Sequence, residues 1–350
     1  MRAPSRRNAP PGETIGMAIV GLLMVAAFVV PPLVGGFLPH QISTYLIFGL
    51  FALSVGLISG YGRLFNIGIG ATFGVAGYAV AMLSHAGINE PFVLLASALI
   101  TGIVVSLLFG VYAILASGIE YLMLTFLTTL AFFNIPLAAQ AATGGENGLQ
   151  IKAGTVVSFG LDPLKGNGFY WFTLTIAVLV AALSWFILSS QAGQAMRAIG
   201  RNPARAAAMG YNVSAYRIAL TLYSGVVASL AGWLYALQAA FVFQDLLGLA
   251  NSLNGLVYAL VGGVDSIVGP LIGATALRWL TERLSTQSTQ SNLYVGIVLL
   301  LVVLFIPDGI VGRWRQLWAR RELAKAGARE SDEPEVTSVT LAGAENESAL

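Results

Sequence analysis

Long apolar runs separated by short polar connections recur along most of this 350-residue chain. A helix needs about 20 mostly apolar residues to cross the hydrocarbon core of a bilayer. The runs predict about ten helical spans, at residues 15–36, 41–60, 66–84, 92–115, 120–141, 169–190, 214–238, 251–268, 270–284 and 292–311. Helices are expected because backbone in lipid must satisfy its own hydrogen bonds, and the alternating ten-residue segments of a β-barrel are not seen. The pattern therefore predicts an all-α, polytopic membrane protein.

Two predicted spans are rich in glycine, at residues 66–82 and 261–274. Glycine at this density lets helices approach closely or lets a helix break, and broken backbone at membrane depth is tolerated only against protein or a water-filled cavity. We therefore expect broken or re-entrant helices here that line a translocation path, although close packing of helices explains the glycines equally well. The candidate path residues are Asn66, Gly68, Gly70, Gly74, Gly77, Gly262, Gly263 and Gly269.

The composition agrees with a membrane protein: 57% of the residues are hydrophobic, 10% are charged, and the mean hydropathy is +0.79. The absence of cysteine excludes disulfides, thiolate chemistry and cysteine-ligated metals. Most of the 18 lysine and arginine residues lie in three segments that the positive-inside rule assigns to the cytoplasm. The predicted organisation is a cytoplasmic segment at 1–14, a transmembrane domain at 15–312, and a cytoplasmic tail at 313–350 that is first basic and then disordered. Both termini are expected in the cytoplasm.

The loop after the sixth predicted span, RAIGRNPARAAAMGYN from Arg197 to Asn212, carries consecutive helix-boundary signals. Gly200 is typical of the residue that ends a helix. Asn202 is a good N-cap, and Pro203 fits the first helical position, where no backbone donor is needed. Gly210 closes the unit. The signals predict a short, separately capped helix of about two turns on the cytoplasmic side.

Three arginines, Arg197, Arg201 and Arg205, are spaced four residues apart in this loop. We expect them to lie along one side of it, because they cannot be buried in lipid cheaply. They fit either an anchor for anionic lipid head groups or a docking surface for a cytoplasmic partner. A defined helix favours docking, since rigid presentation lowers the entropy cost of binding.

Four segments of the sequence resemble a known family, the permease subunits of branched-chain amino acid ABC importers, both LivM-like and LivH-like. The segment from Ser189 to Leu237 is similar to the cytoplasmic loop and following span of that family. Three further segments agree in order and, with the first, cover most of residues 45–315: GLISGYGRLFNIGIGATFGVAGYAVAML, TLAFFNIPLAAQAATGGENGLQI, and GGVDSIVGPLIGA followed by FIPDGIVGRW.

The resemblance implies a coupling helix at 191–212, which would dock on a cytoplasmic ATP-binding subunit. Its docking residues would be Arg197, Arg201, Asn202, Pro203, Arg205, Met209 and Gly210. It also implies a multi-pass protein of the bacterial inner membrane, surrounded by lipid, that carries branched-chain amino acids or a similar small zwitterionic or neutral solute. The implied partners are two ATP-binding subunits, a second homologous permease and a periplasmic solute-binding protein. The chain has no phosphate-loop motif, so ATP hydrolysis must occur on a partner.

The sequence departs from the family pattern at three positions. Ala207 stands where the family usually has an acidic residue, and Arg63 and Phe65 replace a glycine or glutamine and a small polar residue.

An ion-coupled or proton-coupled secondary transporter is the alternative. Such proteins place acidic or histidine side chains at mid-membrane, whereas the candidates here are expected near span ends: Glu120, Asp245, Asp265, Glu282, His40 and His85. Arg278 and Glu282 are expected to form a local pair, being four residues apart. A membrane enzyme would need a nucleophile, a base or a metal cluster, and no group of residues has such spacing. We therefore predict no enzymatic activity, no catalytic residue, no cofactor or metal, and no nucleic-acid partner.

Overall fold

The computed structural model describes residues 38–151 and 168–285, together with Gly309. The predicted spans at 15–36 and 292–311 and the segments at 1–14 and 313–350 lie outside the described residues.

The described part of the chain is almost entirely helical, with one two-stranded antiparallel sheet. Its helices are α1 (Leu38–Gly56), α2 (Ile69–His85), α3 (Pro91–Leu115), α4 (Ile119–Ala138), α5 (Gln140–Thr143), α6 (Gly168–Ser189), α7 (Gln191–Arg201), α8 (Pro203–Ala208), α9 (Val213–Ala239), α10 (Leu249–Gly262) and α11 (Val268–Ser285). A π-helical turn, Leu57–Tyr61, extends α1, and 3₁₀ turns occupy Gly145–Asn147 and Gln244–Leu247. The strands are β1 (Leu149–Gln150) and β2 (Phe241–Val242).

Each predicted span within the described residues corresponds to a helix, which confirms a helical membrane protein. Within residues 38–151 and 168–285, five helices are long and apolar enough to cross a membrane: Leu38–Tyr61, Pro91–Leu115, Ile119–Ala138, Gly168–Ser189 and Val213–Ala239. The glycine-rich helices α2 and α10 are apolar but have only 17 and 14 residues. Helix α11 has 18 residues and carries three charged side chains in its last two turns.

Helix α1 lies at the centre of the described bundle, with most of its length buried. Helix α9 packs against α1, α2 and α3, while α10 and α11 cover another side of α1. Aromatic rings fill the interior, with the Phe51 and Phe73 centroids 4.8 Å apart. A buried hydrogen bond joins α9 to α1, where the Ser224 hydroxyl donates to the Ser54 carbonyl at 2.7 Å.

The bundle has two ends, which we name by the elements found there. At the coupling end, α7 and α8 lie beside Tyr61, where α1 finishes, and the Arg217 side chain at the start of α9 donates to the Ala113 carbonyl of α3 at 2.8 Å. At the strand end, β1 pairs with β2 in antiparallel register, with Leu149 opposite Val242. Helix α9 therefore runs from the coupling end to the strand end.

Three long apolar helices, α3, α4 and α6, have less than half of their span residues buried. Their large exposed side chains include Phe92, Ile100, Val104, Leu115, Ile119, Met123, Leu127, Leu179 and Phe186. Apolar faces of this extent are expected against lipid or another membrane subunit rather than water.

Candidate functional site

Helix α8 is a separate helix of six residues, as its boundary signals predict. Asn202 has an extended backbone, and its Oδ1 accepts the Arg205 backbone N–H at 2.9 Å, which is the N-cap geometry. Pro203 occupies the first helical position. Gly210 follows the helix with a φ of 86°, in the region that glycine tolerates best. The predicted cap and the closing glycine are confirmed.

The prediction that Gly200 ends the preceding helix is wrong, because α7 continues to Arg201. A Cβ at Gly200 would overlap the carbonyl oxygen of Tyr61 and the backbone of Gly62. The glycine therefore lets α7 pack directly on the end of the α1 segment. A lone sequence cannot distinguish this tertiary requirement from a helix end.

The three arginines differ in exposure, and the prediction that they line one side of the loop stays a prediction. Arg197 is half-buried: its Nη2 donates to the Tyr61 hydroxyl at 3.3 Å, and its guanidinium carbon lies 4.7 Å from the centre of the Tyr61 ring. Arg201 and Arg205 are exposed. Arg197 and Arg201 lie four residues apart in α7, and the extended Asn202 separates them from Arg205 in α8. The two exposed arginines are therefore on consecutive helices.

Apolar side chains are exposed beside these two arginines. Met209 is 61% and Tyr211 is 42% exposed, whereas Ala206 within α8 is 1% exposed. We call Arg201, Arg205, Met209 and Tyr211 the docking surface. Exposed large side chains flanked by arginine are enriched at protein–protein contacts.

The glycines of α2 are buried against other helices of the same chain. A Cβ on Gly68, Gly70 or Gly74 would overlap a neighbouring element, in turn the Phe109 ring, Ser252 and Leu247. At Gly77 the nearest atoms lie at 3.7 Å, which is ordinary contact. Close packing accounts for the first three glycines, and their part in lining a path stays a prediction.

Asn66, which precedes these glycines, is 2% exposed. Its Oδ1 accepts the Gly68 backbone N–H at 2.7 Å, whereas its Nδ2 finds no acceptor among the residues that the structure describes. A buried amide donor without a protein partner costs free energy unless water or a ligand satisfies it. Asn66 is therefore the candidate path residue with unused hydrogen-bonding capacity.

Gly262, Gly263 and Gly269 form the tight turn between α10 and α11. Gly263 ends α10 with a φ of 106°, and a Cβ on Gly262 would overlap the Gly269 carbonyl. With 14 residues, α10 is about 21 Å long, shorter than the hydrocarbon core of about 30 Å. The pair α10 and α11 thus has the geometry expected of a broken or re-entrant segment.

The π-helical turn, Leu57–Tyr61, lies between α7 and the α10–α11 turn and contacts both. On one side, Tyr61 contacts Arg197 and Gly200. On the other, Gly60 lies so close to the Val264 carbonyl that a Cβ would overlap it. Single π turns occur often at functional sites.

An exposed ion pair lies beside the π-helical turn, between Arg63 Nη2 and Asp265 Oδ1 at 3.3 Å. Arg63 has a φ of 52°, an uncommon value for a residue with a side chain.

The predicted pair of Arg278 and Glu282 is not formed. The Arg278 guanidinium carbon lies 3.6 Å from the centre of the Phe48 ring, and Glu282 accepts hydrogen bonds from Gln41 Nε2 and Tyr45 Oη, each at 2.5 Å. Both residues have partners on α1, more than 200 positions away, which a four-residue spacing cannot reveal. The other acidic candidates, Glu120, Asp245 and Asp265, are exposed near helix ends, as expected.

The described residues contain no group of three histidine or acidic side chains that could hold a metal ion.

Comparison with known families gives a match over residues 40–307 to the model described as "Branched-chain amino acid transport system / permease component". The chain belongs to this permease family. The family consists of transporter subunits and not of enzymes.

Curated permeases similar to this chain are named for different substrates. The chain is 27% identical over 192 residues to the fructose import permease protein FrcC of Rhizobium meliloti, covering 51% of this chain and 53% of the relative. It is 35% identical over 147 residues to the high-affinity branched-chain amino acid transport system permease protein LivH of Escherichia coli K12, covering 41% and 46%. It is 28% identical over 273 residues to the galactofuranose transporter permease protein YtfT of the same organism, covering 74% and 76%.

The chain therefore spans about half the length of the first two of these curated permeases. No solved structure matches it.

Proposed function

We propose that this chain is a transmembrane permease subunit of an ABC importer in the bacterial inner membrane. It forms part of the path for a branched-chain amino acid or a similar small zwitterionic or neutral solute. Two cytoplasmic ATP-binding subunits drive it, a second homologous permease completes the path, and a periplasmic binding protein delivers the solute. The apolar faces of α3, α4 and α6 are available for the second permease and for lipid.

The observation that carries the proposal is the separately capped helix α8 with its docking surface. Arg205 lies on this helix and is exposed, and the exposed Arg201, Met209 and Tyr211 flank it on the adjoining residues, while Ala206 within the helix is buried. A membrane anchor needs basic charge but no defined helix, whereas a rigid partner groove gains from a preformed helix because less entropy is lost on binding.

We propose that α7 transmits movement from the docking surface to the transmembrane helices. Closure of the ATP-binding subunits would move α7, which contacts Tyr61 directly, and the π-helical turn would transmit the movement to Val264 in the α10–α11 turn. Two packed arrangements of that turn would give outward-open and inward-open states. The candidate path residues Asn66 and Gly262 lie on the elements that would move.

The proposal is tested by Arg201→Glu and Arg205→Glu in membrane vesicles that contain the whole importer. Labelled L-leucine and labelled D-fructose are tested separately. We expect the variants to lose ATP-dependent uptake of the solute that the wild type takes up, while the permease remains inserted. Arg283→Glu, an exposed arginine at the strand end, is the matched control and should leave uptake unchanged. Normal uptake by both docking variants would contradict the docking role.

The same vesicles distinguish an ATP-driven importer from an ion-coupled or proton-coupled secondary transporter. An ATP-driven importer keeps its uptake when an uncoupler abolishes the proton gradient and loses it when the ATP-binding subunits are omitted. The reverse outcome would favour ion coupling, for which Glu282 is the half-buried acidic candidate.

A further inference from the structure

A cavity of about 340 Å³ opens at the strand end between α1 and α11. Its volume is within the usual range of about 300–1,000 Å³ for small-molecule sites. The lining residues are polar or charged almost throughout: His40, Gln41, Thr44, Tyr45, Arg278, Thr281 and Glu282. In a chain in which 10% of the residues are charged, an arginine and a glutamate in one cavity are exceptional.

The arginine in this cavity is held in place by aromatic rings. The Arg278 guanidinium stacks on the Phe48 ring, with its central carbon 3.6 Å from the ring centre. Phe48 in turn packs edge-on against Tyr235 and Tyr258. Stacking uses the face of the guanidinium and leaves N–H donors at its edge, which match the two oxygens of a carboxylate. Within residues 38–151 and 168–285 no carboxylate forms an ion pair with Arg278.

The glutamate is oriented by neutral groups. Gln41 donates to Glu282 Oε1 and Tyr45 donates to Oε2, so each oxygen is fixed while a second lone pair remains on each. Arg278 and Glu282 are four residues apart on α11, and side chains at this spacing are neighbours about 5–6 Å apart at Cβ. They present opposite charges to one cavity without neutralising each other. An ionisable group inside a membrane protein is expensive unless it has a function or a partner.

We infer that this cavity binds a zwitterionic solute, with the carboxylate of the solute on Arg278 and its ammonium group on Glu282. The inference rests on the proposed function and adds to it the chemical class of the cargo, an amino acid rather than a sugar. A sugar has no charge to satisfy either side chain. The cavity lies at the end opposite the docking surface, so it is the first site that a solute from the periplasm would meet.

The test measures equilibrium binding to the complete complex of permeases and ATP-binding subunits, without ATP and without the binding protein. The probes are L-leucine, 4-methylpentanoate, which is leucine without its ammonium group, and D-fructose. We expect wild-type complex to prefer L-leucine to both others by about tenfold or more, because each loses at least one charged contact. Preference for D-fructose would overturn the inference.

Variants assign the two charges. Arg278→Gln and Glu282→Gln should each weaken L-leucine binding by about tenfold or more, and Glu282→Gln should also abolish the preference over 4-methylpentanoate. Arg278→Lys keeps the charge and should retain part of the binding, which separates loss of a ligand contact from misfolding. Arg283→Gln, the neighbouring exposed arginine, is the matched control. L-leucine binding that is unaffected by both glutamine variants would refute the site.

Failure of the inference is distinguishable from failure of the proposed function. Complexes that retain ATP-dependent uptake but bind L-leucine independently of Arg278 and Glu282 would refute the zwitterion site alone. Complexes whose uptake does not depend on the ATP-binding subunits would refute the importer itself.

Discussion

Replacing Asn202 with alanine removes the side-chain oxygen that begins α8. In the structure this oxygen accepts the Arg205 backbone N–H at 2.9 Å, and alanine leaves that donor to water. The substitution changes no charge and alters no side chain of the docking surface. Its effect therefore reports on the helix itself rather than on the contacts that its side chains make.

Loss of an N-cap costs about 1 kcal/mol of helix stability. Helix α8 has six residues, and a helix this short is marginal without its cap and its packing. A cost of about 1 kcal/mol lowers the ratio of helical to open form about fivefold, and the apparent Kd for an ATP-binding subunit that needs the helix rises by up to about the same factor, reached when the open form predominates in the variant and is already substantial in the wild type.

The assay titrates purified ATP-binding subunit onto the permease pair in nanodiscs and measures the Kd. Asn202→Ser keeps a capping oxygen and should restore wild-type affinity. Asn212→Ala removes a comparable cap, the 3.1 Å bond from the Ala215 N–H at the start of α9. Because α9 has 27 residues and packs on three other helices, this control should dock normally. Wild-type affinity of Asn202→Ala, or equal weakening by both alanine variants, would refute the reasoning.

Three further results are expected. Gly262→Ala should sharply lower the yield of folded permease in membranes, because the new Cβ overlaps the turn backbone, whereas Gly77→Ala should be tolerated with its nearest atoms at 3.7 Å. In cysteine labelling of sealed cells and inverted vesicles, Ala207→Cys should react only from the cytoplasmic side and Ala206→Cys, which is buried, should react poorly from either. Asp265→Asn should change thermal stability little, by under about 1 kcal/mol, because its ion pair is exposed; a large loss would mean that the pair holds the turn.

Features encoded within one helical turn could be predicted from the sequence. The cap at Asn202 and the closing Gly210 depend on the nearest few residues, and the structure has both. The spans could be predicted because they follow from long apolar runs, although α10 and α11 show how a glycine turn divides a run into shorter helices.

Features that depend on distant partners could not be predicted. Gly200 and Arg197 have roles set by Tyr61, more than 130 positions away, and local patterns instead suggested a helix end and an exposed charge. The separation of Arg278 and Glu282 likewise depends on Phe48 and Gln41 of α1. The sequence shows only that Arg278 and Glu282 lie in an apolar helix. Because a charged side chain inside a membrane is energetically costly, this indicates a functional role but does not identify the residues that each one contacts.

Helix α9 is an uninterrupted rod of 27 residues, about 40 Å long, and the β1–β2 pairing ties the loop between α4 and α6 to the chain just beyond its far end. A small tilt imposed where α9 begins would be enlarged into a sideways displacement of that loop, as in a lever. In the proposed importer, the nucleotide state of the ATP-binding subunits would thereby change the surface that the binding protein meets on the opposite side of the membrane, with no signal molecule crossing between them.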